Sequence, residues 1–454
     1  MPETPRAMVE DLFQAAVAAA DPVAAMNAAL ETTPISPGGR LFLCALGKAS
    51  PAMAQAALAW SRERGKPMSG GVVISPDLVT DRHPPTIHFL IGDHPVPGEN
   101  SARAADAIDK LSRELRNEDE VWLLLSGGTS SLVGAPVPGV RSDDYVRLYQ
   151  LLLGSGLDIH TTNLVRKRVS RWGAGRLALA LSPARVRVFA ISDVADDDLA
   201  TLGSGPCAPD PTSAAELRPM LGARGLWPHL PPTIASYLDE VIAGLRGETP
   251  KFDDPRFSRV HSRILANTET ALKGAVARAG LLGLSVSVEG ALQGDATEQG
   301  AMIADYLAEA ARRGRHGVFL WGGETTVTLD LPASEPERIS RPARPRLGGR
   351  CQDLALSAAI RLGEARVGDR VTLLAAGTDG RDGPTDAAGA VVDGTTAGAV
   401  GNPRDHLERH DAYPALRRAK ALFVTGSTGT NVRDLVVGLI RDESRPPAGS
   451  PNPG

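Results

Sequence analysis

The feature that most constrains this chain is a repeated pair of patterns, a short apolar run followed at once by a loop of glycine, hydroxyl and acidic residues. In the clearest case, VTLLAAGTDGRDGPTDAAGAVVDG (371–394), the apolar start is typical of a buried parallel strand. Glycines in the loop that follows allow sharp turns and a close approach to a ligand. Six such loops occur along the chain: GKAS (47–50), SGGTSS (126–131), SDVADDD (192–198), GGE (322–324), GTDGRDGPTD (377–386) and GSTGTN (426–431).

Helical spacing between these runs predicts an α/β fold with a largely parallel sheet. In such sheets, ligands bind beyond the carboxyl ends of the strands, so loops that each follow a strand can meet. We therefore expect the six loops to converge, some from each half of the chain, on a cleft between two domains. GSTGTN is expected to begin a helix, and the alternating TTVTLDL (325–331) is expected to form an antiparallel or edge strand.

The length of 454 residues exceeds what one hydrophobic core usually supports, which predicts two domains. Residues 206–256 are rich in proline and broken by short helical patches, so they are the best candidate for the interdomain region. This places an N-terminal α/β domain at 1–245 and a C-terminal α/β domain at 256–442. The Pro/Arg-rich segment 335–346 is expected to be a mobile loop, and 443–454 a disordered tail.

Composition excludes several classes of function. Hydrophobic residues make up 42% of the chain and charged residues 22%, as in ordinary soluble globular proteins. A net charge of -4 provides no basic field for nucleic acid or a membrane surface, which favours a small-molecule substrate. The sequence shows neither a signal peptide nor a transmembrane run, and its three distant cysteines indicate no disulfide framework or zinc site. A cytoplasmic location is expected.

The loops carry groups that suit anions and cations. Asp379, Asp382 and Asp386 crowd into one loop and repel one another unless a cation, hydrogen-bond donors or water compensates, so either a metal-phosphate site or a solvated turn is open. Lys48 could reach a phosphate at a helix N-terminus or simply be solvated. SGGTSS (126–131) could form a nest for a carboxylate or phosphate, or only a strand-to-helix turn.

Residues 161–180 contain a dense run of cations. Such a run usually forms a solvated helix face, but after a glycine-rich loop it could also direct one or two cations toward an anionic substrate. The cations are Arg166, Lys167, Arg168, Arg171 and Arg176.

Hydroxyl and amide nests, a few cations and at least three acidic loops suit phosphoryl transfer, in which positioning and magnesium-assisted charge neutralisation supply most of the catalysis. They suit NAD chemistry poorly, because the chain has no GxGxxG followed by an acidic residue about twenty positions on.

Eight motifs in the same order resemble the ATP-dependent glycerate 2-kinase family, built from a DUF4147 half and a MOFRL half, over about residues 8–440. They are GDHPVPGENS, LLLSGGTSSL, NLVRKRVSRWGAGRLA, ISDVADDDLATLGSGP, GGETTVTL, GGRCQDLAL, GTDGRDGPTDAAGA and TGSTGTNVRDL. The resemblance implies phosphorylation of D-glycerate to 2-phosphoglycerate with ATP and Mg²⁺, in a cleft between two α/β domains. It also implies that the N-terminal domain is a Rossmann-like three-layer sandwich with a mainly parallel sheet.

The resemblance also implies site residues. Lys48 and Arg350 match a functional lysine and arginine, assigned to phosphate or to the substrate carboxylate. Asp193, Glu324 and Asp379 match acidic positions, assigned to Mg²⁺ or to the attacking hydroxyl, with the identity of the base left open. Asp382 and Asp386 are expected to cap and brace the loop around Asp379. The substrate- or nucleotide-binding positions are Ser126, Gly127, Gly128, Thr129, Ser130, Arg168 and Asn431.

Departures from the family pattern put the substrate in doubt. The family pattern VRKHLSxxKGG has a histidine where this chain has Arg168 and a lysine where it has Gly173. The family pattern GGRNQE has an asparagine where this chain has Cys351 and a glutamate where it has Asp353. Asp196 stands where the family usually has a glycine, and residues 330–347 lengthen a connection that is normally short in the family. The lost lysine could be offset by Arg168 or Arg171, or it could signal another hydroxy acid.

Two other functions stay open. Some relatives carry the name hydroxypyruvate reductase, which predicts NAD(P)H consumption. A non-catalytic sensor of a nucleotide or sugar acid is the third hypothesis. The sequence does not fix the oligomeric state, and a homodimer is one alternative.

Overall fold

The computed structural model describes residues 4–34, 38–77, 83–155, 157, 159–327 and 346–442. The predicted tail at 443–454 lies outside the described residues, as do the predicted mobile loop and the lengthened connection, except for Arg346 and Leu347.

The chain forms two compact units, and their boundaries differ from the predicted ones. The N-terminal unit is Pro22–Ala266; the C-terminal unit takes the described residues of Met1–Asp21 and Asn267–Gly454. Helix α1 (Pro5–Ala19) belongs to the C-terminal unit because Arg6 donates to the carbonyls of Lys420 and Leu422, at 2.9 and 2.8 Å. Helical periodicity identifies the apolar face of α1 but not the core that buries it.

The predicted interdomain segment 206–256 lies inside the N-terminal unit. Its short helices bury Leu217, Leu221, Ile234 and Leu238, so this proline-rich stretch contributes to a hydrophobic core rather than linking two domains. Proline here starts or interrupts short helices, which the composition alone cannot distinguish from a linker.

The N-terminal unit has a six-stranded parallel sheet, which confirms the predicted Rossmann-like architecture. The strand order is β3-β2-β1-β4-β5-β6, so the chain reverses its direction of travel across the sheet between β1 and β4. The strands are β1 (Leu41–Leu46), β2 (Gly70–Ser75), β3 (Ile87–Ile91), β4 (Glu120–Leu125), β5 (Arg185–Ile191) and β6 (Val260–Ala266). The helices are α2 (Pro22–Glu31), α3 (Ser50–Glu63), α4 (Glu99–Glu114), α5 (Thr129–Leu132), α6 (Ser142–Gly154), α7 (Ile159–Val169), α8 (Arg176–Leu181), α9 (Ala214–Ala223) and α10 (Pro232–Ile242).

Helices cover both faces of this sheet, because successive strand residues point to opposite faces. Val121 and Leu123 of β4 pack in one cluster with Ile108 of α4. Trp122, between them, faces the other way, and its ring centroid lies 5.6 Å from that of Trp60 in α3. The result is three layers around one buried parallel sheet.

The C-terminal unit has a mixed sheet of order β11-β10-β9-β12-β8-β7, in which β10 and β12 run against their neighbours. The strands are β7 (Val286–Leu292), β8 (Gly317–Gly323), β9 (Val371–Gly377), β10 (Gly389–Asp393), β11 (Leu422–Phe423) and β12 (Asp434–Ile440). The helices, besides α1, are α11 (Thr268–Leu281), α12 (Ala296–Arg312), α13 (Arg350–Glu364), α14 (Thr396–Val400), α15 (Pro403–Glu408) and α16 (Ala412–Arg418).

One local prediction was wrong in this unit. GSTGTN leads into strand β12 rather than a helix, because DLVVGLI is buried throughout between β8 and β9. Of the strand predicted at 325–331, residues 328–331 lie outside the described part, and Thr326 forms a single bridge with Asp295. Within the described ranges, no helix has the length and apolar character that crossing a membrane requires.

Candidate active site

The loops after β1 and β4 are joined at the point where the strand order of the N-terminal unit reverses. The backbone N–H of Lys48, two residues beyond β1, donates to the carbonyl of Gly127 at 2.9 Å. The N–H of Ala49 donates to the hydroxyl of Ser126 at 3.0 Å. This reversal point is where open parallel sheets bind ligands, so Lys48 and SGGTSS meet at the expected place.

The SGGTSS loop is folded on itself and faces Lys48. Ser126 is fully buried, and its carbonyl accepts a 2.8 Å bond from the Thr129 hydroxyl. Gly128 has a φ of +87°, which favours glycine. A Cβ on Gly128 would lie 3.4 Å from Lys48 Cγ and 3.4 Å from Cδ2 of His94, so these three residues converge. Sequence reasoning missed His94, although it stands in GDHPVPGENS, the loop after β3.

Ser130 continues the same surface. Its hydroxyl oxygen lies 2.5 Å from Ser204 Oγ and 3.2 Å from the Tyr149 hydroxyl. Asp193, two residues beyond β5, is half-buried at the same edge of the sheet, since β5 is parallel to β4. Asp196, where the family usually has glycine, has a φ of +54°. This left-handed conformation accounts for the usual glycine, and aspartate is one of the few other residues that tolerate it.

Arg168, a predicted substrate-binding residue, lies apart from this group in a buried ionic network. Its side chain is only 2% exposed, and its guanidinium pairs with Asp210 at 3.1 Å and with Glu248 at 2.8 Å. Lys167 reaches the same Asp210 carboxylate at 2.7 Å. Burial opposes ionisation of Asp210, but the bonds from Lys167 and Thr212 and the charge of Arg168 lower its pKa to about 2. Arg168 therefore supports the fold.

A second group forms at one edge of the C-terminal sheet. The register places Asp434, the first residue of β12, opposite both Gly323 at the end of β8 and Gly377 at the end of β9. Glu324 follows the first glycine directly, and Asp379 lies two residues beyond the second. The ends of two strands and the start of an antiparallel one thus place three carboxylates along the same edge.

Arg350, the first residue of α13, is held between two of these carboxylates. Its Nε and Nη2 both donate to Asp434, the latter at 2.9 Å, and Nη1 lies 3.1 Å from Glu324 Oε1. Burial disfavours the guanidinium charge, but the charges of Asp434 and Glu324 outweigh it and raise the pKa of Arg350 well above its usual value. The arginine is therefore permanently charged and fixed in orientation.

Asp434 was missed by sequence reasoning, although it stands in the motif TGSTGTNVRDL. A Cβ on Gly377 would lie 3.3 Å from Asp379 Oδ1 and 3.4 Å from Asp434 Oδ1, so the two carboxylates flank the same glycine. Asn431 accepts a 3.4 Å bond from the N–H of Arg433, in a loop that the Thr378 hydroxyl ties to the Asp379 loop. The structure thus gathers Glu324, Arg350, Asp379 and Asn431.

Asp382 and Asp386 brace the loop, as expected. Asp382 accepts the backbone N–H groups of Cys351 and Gln352, at 3.2 and 2.8 Å, and so caps the first turn of α13. Burial and the nearby charge of Asp434 raise the pKa of Asp382 to about 7. Asp386 accepts a 2.7 Å bond from the Tyr413 hydroxyl.

The substituted positions 351 and 353 lie inside this scaffold. Cys351 is 2% exposed, and burial raises the pKa of its thiol well above the usual value. Asp353 is 1% exposed and lies 2.7 Å from Nδ1 of His410. Burial raises the pKa of Asp353 to about 6 against the opposing effect of His410. Both substitutions therefore change contacts within the fold of the C-terminal unit.

The predicted metal ligands are divided between the units: Asp193 lies in the N-terminal unit, and Glu324 and Asp379 lie in the C-terminal unit. In the ranges that the structure describes, no group of three or more His, Cys, Asp or Glu side chains is arranged to hold a metal ion. Mg²⁺ commonly takes only one or two carboxylates together with substrate phosphates, and within the C-terminal unit Glu324 and Asp379 are of the type that would supply them.

Each half of the chain matches a known family model. Residues 8–239 match the family described as "Domain of unknown function (DUF4147)", and residues 317–434 match the MOFRL family. The D-glycerate 2-kinase of Thermotoga maritima is 34% identical, over 97% of this chain and 99% of its own. This chain belongs to the glycerate 2-kinase family.

A crystal structure of the glycerate kinase from Thermotoga maritima matches the fold with a TM-score of 0.78 and 33% identity, covering 96% of this chain and 99% of that chain. A putative hydroxypyruvate reductase of Agrobacterium vitis is 36% identical over 96% of this chain and 94% of its own. In this chain, the segment that matches DUF4147 contains Lys48, SGGTSS and Asp193. The segment that matches MOFRL contains Glu324, Arg350, Asp379 and Asn431.

Proposed function

We propose that this member of the glycerate 2-kinase family transfers the γ-phosphoryl group of ATP to the 2-hydroxyl of D-glycerate, giving 2-phosphoglycerate and ADP. The observation that carries the proposal is the convergence of Lys48 with the SGGTSS loop at the reversal point of a parallel sheet. A lysine beside a loop of glycine and hydroxyl residues suits phosphate or carboxylate oxygens. A cytoplasmic enzyme is proposed.

The residues divide into roles by their chemistry. Lys48 is a point charge able to follow a moving phosphoryl group. Arg350 is fixed by two carboxylates, so it offers a preorganised charge that costs no reorganisation during reaction. Asp193 and Asp379 are the candidate bases for the 2-hydroxyl. Glu324 and Asp379 would hold Mg²⁺, which supplies neutralisation of phosphate charge when bound.

In the proposed step, the oxygen of the 2-hydroxyl attacks the γ-phosphorus and forms the new O–P bond. The bond from the γ-phosphorus to the β–γ bridging oxygen breaks, and ADP leaves with the electron pair. The proton of the 2-hydroxyl passes to one carboxylate. A loose transition state needs this proton transfer only late, so positioning dominates the barrier.

A coupled assay of ADP release with D-glycerate, tartronate and tartrate tests the proposal. Turnover with at least one acid is expected; no ATP consumption with any of them contradicts it. Lys48→Ala should lower kcat by about 100-fold or more, on the scale of a lost transition-state donor. Lys273→Ala removes an exposed lysine that pairs along helix α11, so it should leave the rate unchanged.

Conservative variants distinguish the roles of the acidic residues and of the arginine. Asp379→Asn and Asp193→Asn each keep the shape of the side chain and remove its charge. Replacing the general base should lower kcat more than replacing a ligand of the ion, and added Mg²⁺ should partly restore the activity of the ligand variant. Arg350→Lys keeps the charge but loses the paired bonds to Asp434, so kcat should fall. Consumption of NADH or NADPH with hydroxypyruvate, without ATP turnover, would favour the reductase function.

A further inference from the structure

Four of the five cations in residues 166–176 are engaged by the fold. Lys167 and Arg168 share Asp210, and Arg171 pairs with Asp106 at 2.7 Å near the surface. Arg176 donates to the backbone carbonyls of Lys167, Arg168 and Ser170 at the end of α7. The remaining cation is Arg166.

Arg166 is buried without a carboxylate partner among the residues that the structure describes. Its residue is 9% exposed, and its Cζ lies 4.5 Å from the ring centroid of Tyr149. Its Nε is sealed from solvent with no hydrogen-bond partner, and no acidic side chain in the described ranges forms an ion pair with it. Burial lowers the pKa of Arg166. A desolvated cation without an anion is costly, so an anion from outside the described residues would stabilise Arg166.

Tyr149 connects Arg166 to the site. Its hydroxyl donates to the carbonyl of Ser130 at 3.1 Å and lies 3.2 Å from the Ser130 hydroxyl. The end of α7 also runs beside the chain that leaves the SGGTSS loop, because the N–H of Val137 donates to the carbonyl of Val169 at 2.9 Å. Arg166 therefore lies behind the same loop that Lys48 faces.

We propose that Arg166 is the specificity-determining residue that binds the carboxylate of the hydroxy-acid substrate beside Ser130. This rests on the proposed function, in which Lys48 serves the transferred phosphoryl group. A guanidinium offers paired donors that match a planar carboxylate, whereas the mobile phosphoryl group suits the point charge of a lysine. The ring of Tyr149 holds the guanidinium in place.

Arg166→Met tests the assignment through the charge of the substrate. The KM for D-glycerate is expected to rise about 10- to 150-fold, the range for a lost hydrogen bond to a charged group, with the KM for ATP unchanged. Activity with the methyl ester of D-glycerate, which lacks the carboxylate charge, should be low in the wild type and change little in the variant. The preference of the enzyme for the acid over the ester should therefore be lost in Arg166→Met. The KM of Arg166→Lys for D-glycerate should lie between those of the wild type and Arg166→Met.

Arg218→Met is the matched control, because Arg218 also lies over an aromatic ring, Trp227 at 5.2 Å, but pairs with Asp239 at the surface. It should leave the KM for D-glycerate and the acid preference unchanged. An increase in the KM for ATP alone in Arg166→Met would overturn the proposal in favour of a nucleotide phosphate. Unchanged KM values with a lower Tm would show a structural role and also overturn it.

Thermal shift separates failure of this inference from failure of the proposed function. D-glycerate without ATP should raise the Tm of the wild type and of Arg218→Met, but not that of Arg166→Met. If no hydroxy acid is phosphorylated yet this pattern holds, the proposed kinase function fails and the carboxylate site stands. If ATP turnover is present but the acid shifts Arg166→Met as much as the wild type, Arg166 does not bind the carboxylate.

Discussion

Replacing Arg168 by methionine should destabilise the N-terminal unit strongly, because it leaves buried carboxylates with fewer partners. Asp210 is 1% exposed, and its pKa of about 2 lies below the usual 3.8. That difference corresponds to about 2.5 kcal/mol of net stabilisation of the ionised carboxylate, supplied jointly by Lys167, Thr212 and Arg168. Loss of the contact to Glu248, a third exposed, adds less because water can replace it.

The expected cost is about 3 kcal/mol of unfolding free energy, at the low end for breaking a buried ion pair. The assay is urea unfolding of the full chain followed by tryptophan fluorescence. Four of the five tryptophans report on the N-terminal unit: Trp60, Trp122, Trp172 and Trp227. Arg171→Met, which breaks an exposed pair with Asp106, should cost less than about 1 kcal/mol.

The pH dependence supplies a second check with a definite sign. A carboxyl group whose pKa is depressed in the folded state stabilises the fold above its unfolded pKa of 3.8, and this contribution is lost as the pH falls toward 2. Arg168→Met should therefore lose less stability than the wild type over that window. A variant as stable as the wild type, or a cost equal to that of Arg171→Met, would refute the reasoning.

Three further substitutions have expected outcomes. The raised pKa of Asp382 means that the folded wild type resists ionisation of this carboxyl group, so its stability should fall as the pH rises from 3.8 toward 7. Asp382→Asn should remove this loss. Comparison of the two unfolding curves should show a change of up to about 4 kcal/mol. Asp196→Gly should raise stability by about 1 kcal/mol in the same unfolding assay, since φ is +54°, whereas Asp196→Ala should not. Gly173→Lys, which restores the family lysine, should lower the Tm because its Cβ would lie 2.9 Å from the carbonyl oxygen of Lys167.

The features that sequence predicts here are those coded locally. An apolar run ending in GKAS or SGGTSS identifies both the strand and the end at which its loop emerges, and parallel packing then brings Lys48 and Ser126 together. Strand direction is not coded this way. DLVVGLI is continuous and apolar, so nothing in it indicates that β12 runs antiparallel, and Asp434 was missed because its place beside Arg350 depends on that direction.

Ion-pair partners that lie far apart in the sequence also could not be predicted. Arg168 stands beside four other cations, so its pattern is equally consistent with a solvated face or a ligand site. Its actual partners, Asp210 and Glu248, come from segments that composition marks only as a proline-rich connection. The same limit hid the position of α1, whose apolar face packs with the C-terminal unit.

These placements change what the departures from the family pattern mean. Arg168 lies in a buried ionic network, and Gly173 packs against the backbone of Lys167. The Arg168 side chain is held in this network and not at the surface formed by Lys48 and Ser130, so its substitution does not argue for another hydroxy acid. Arg166, which matches the family pattern, is buried with neither an ion pair nor a side-chain hydrogen bond among the described residues. Arg168→His should therefore lower stability while the order of preference among hydroxy acids stays the same.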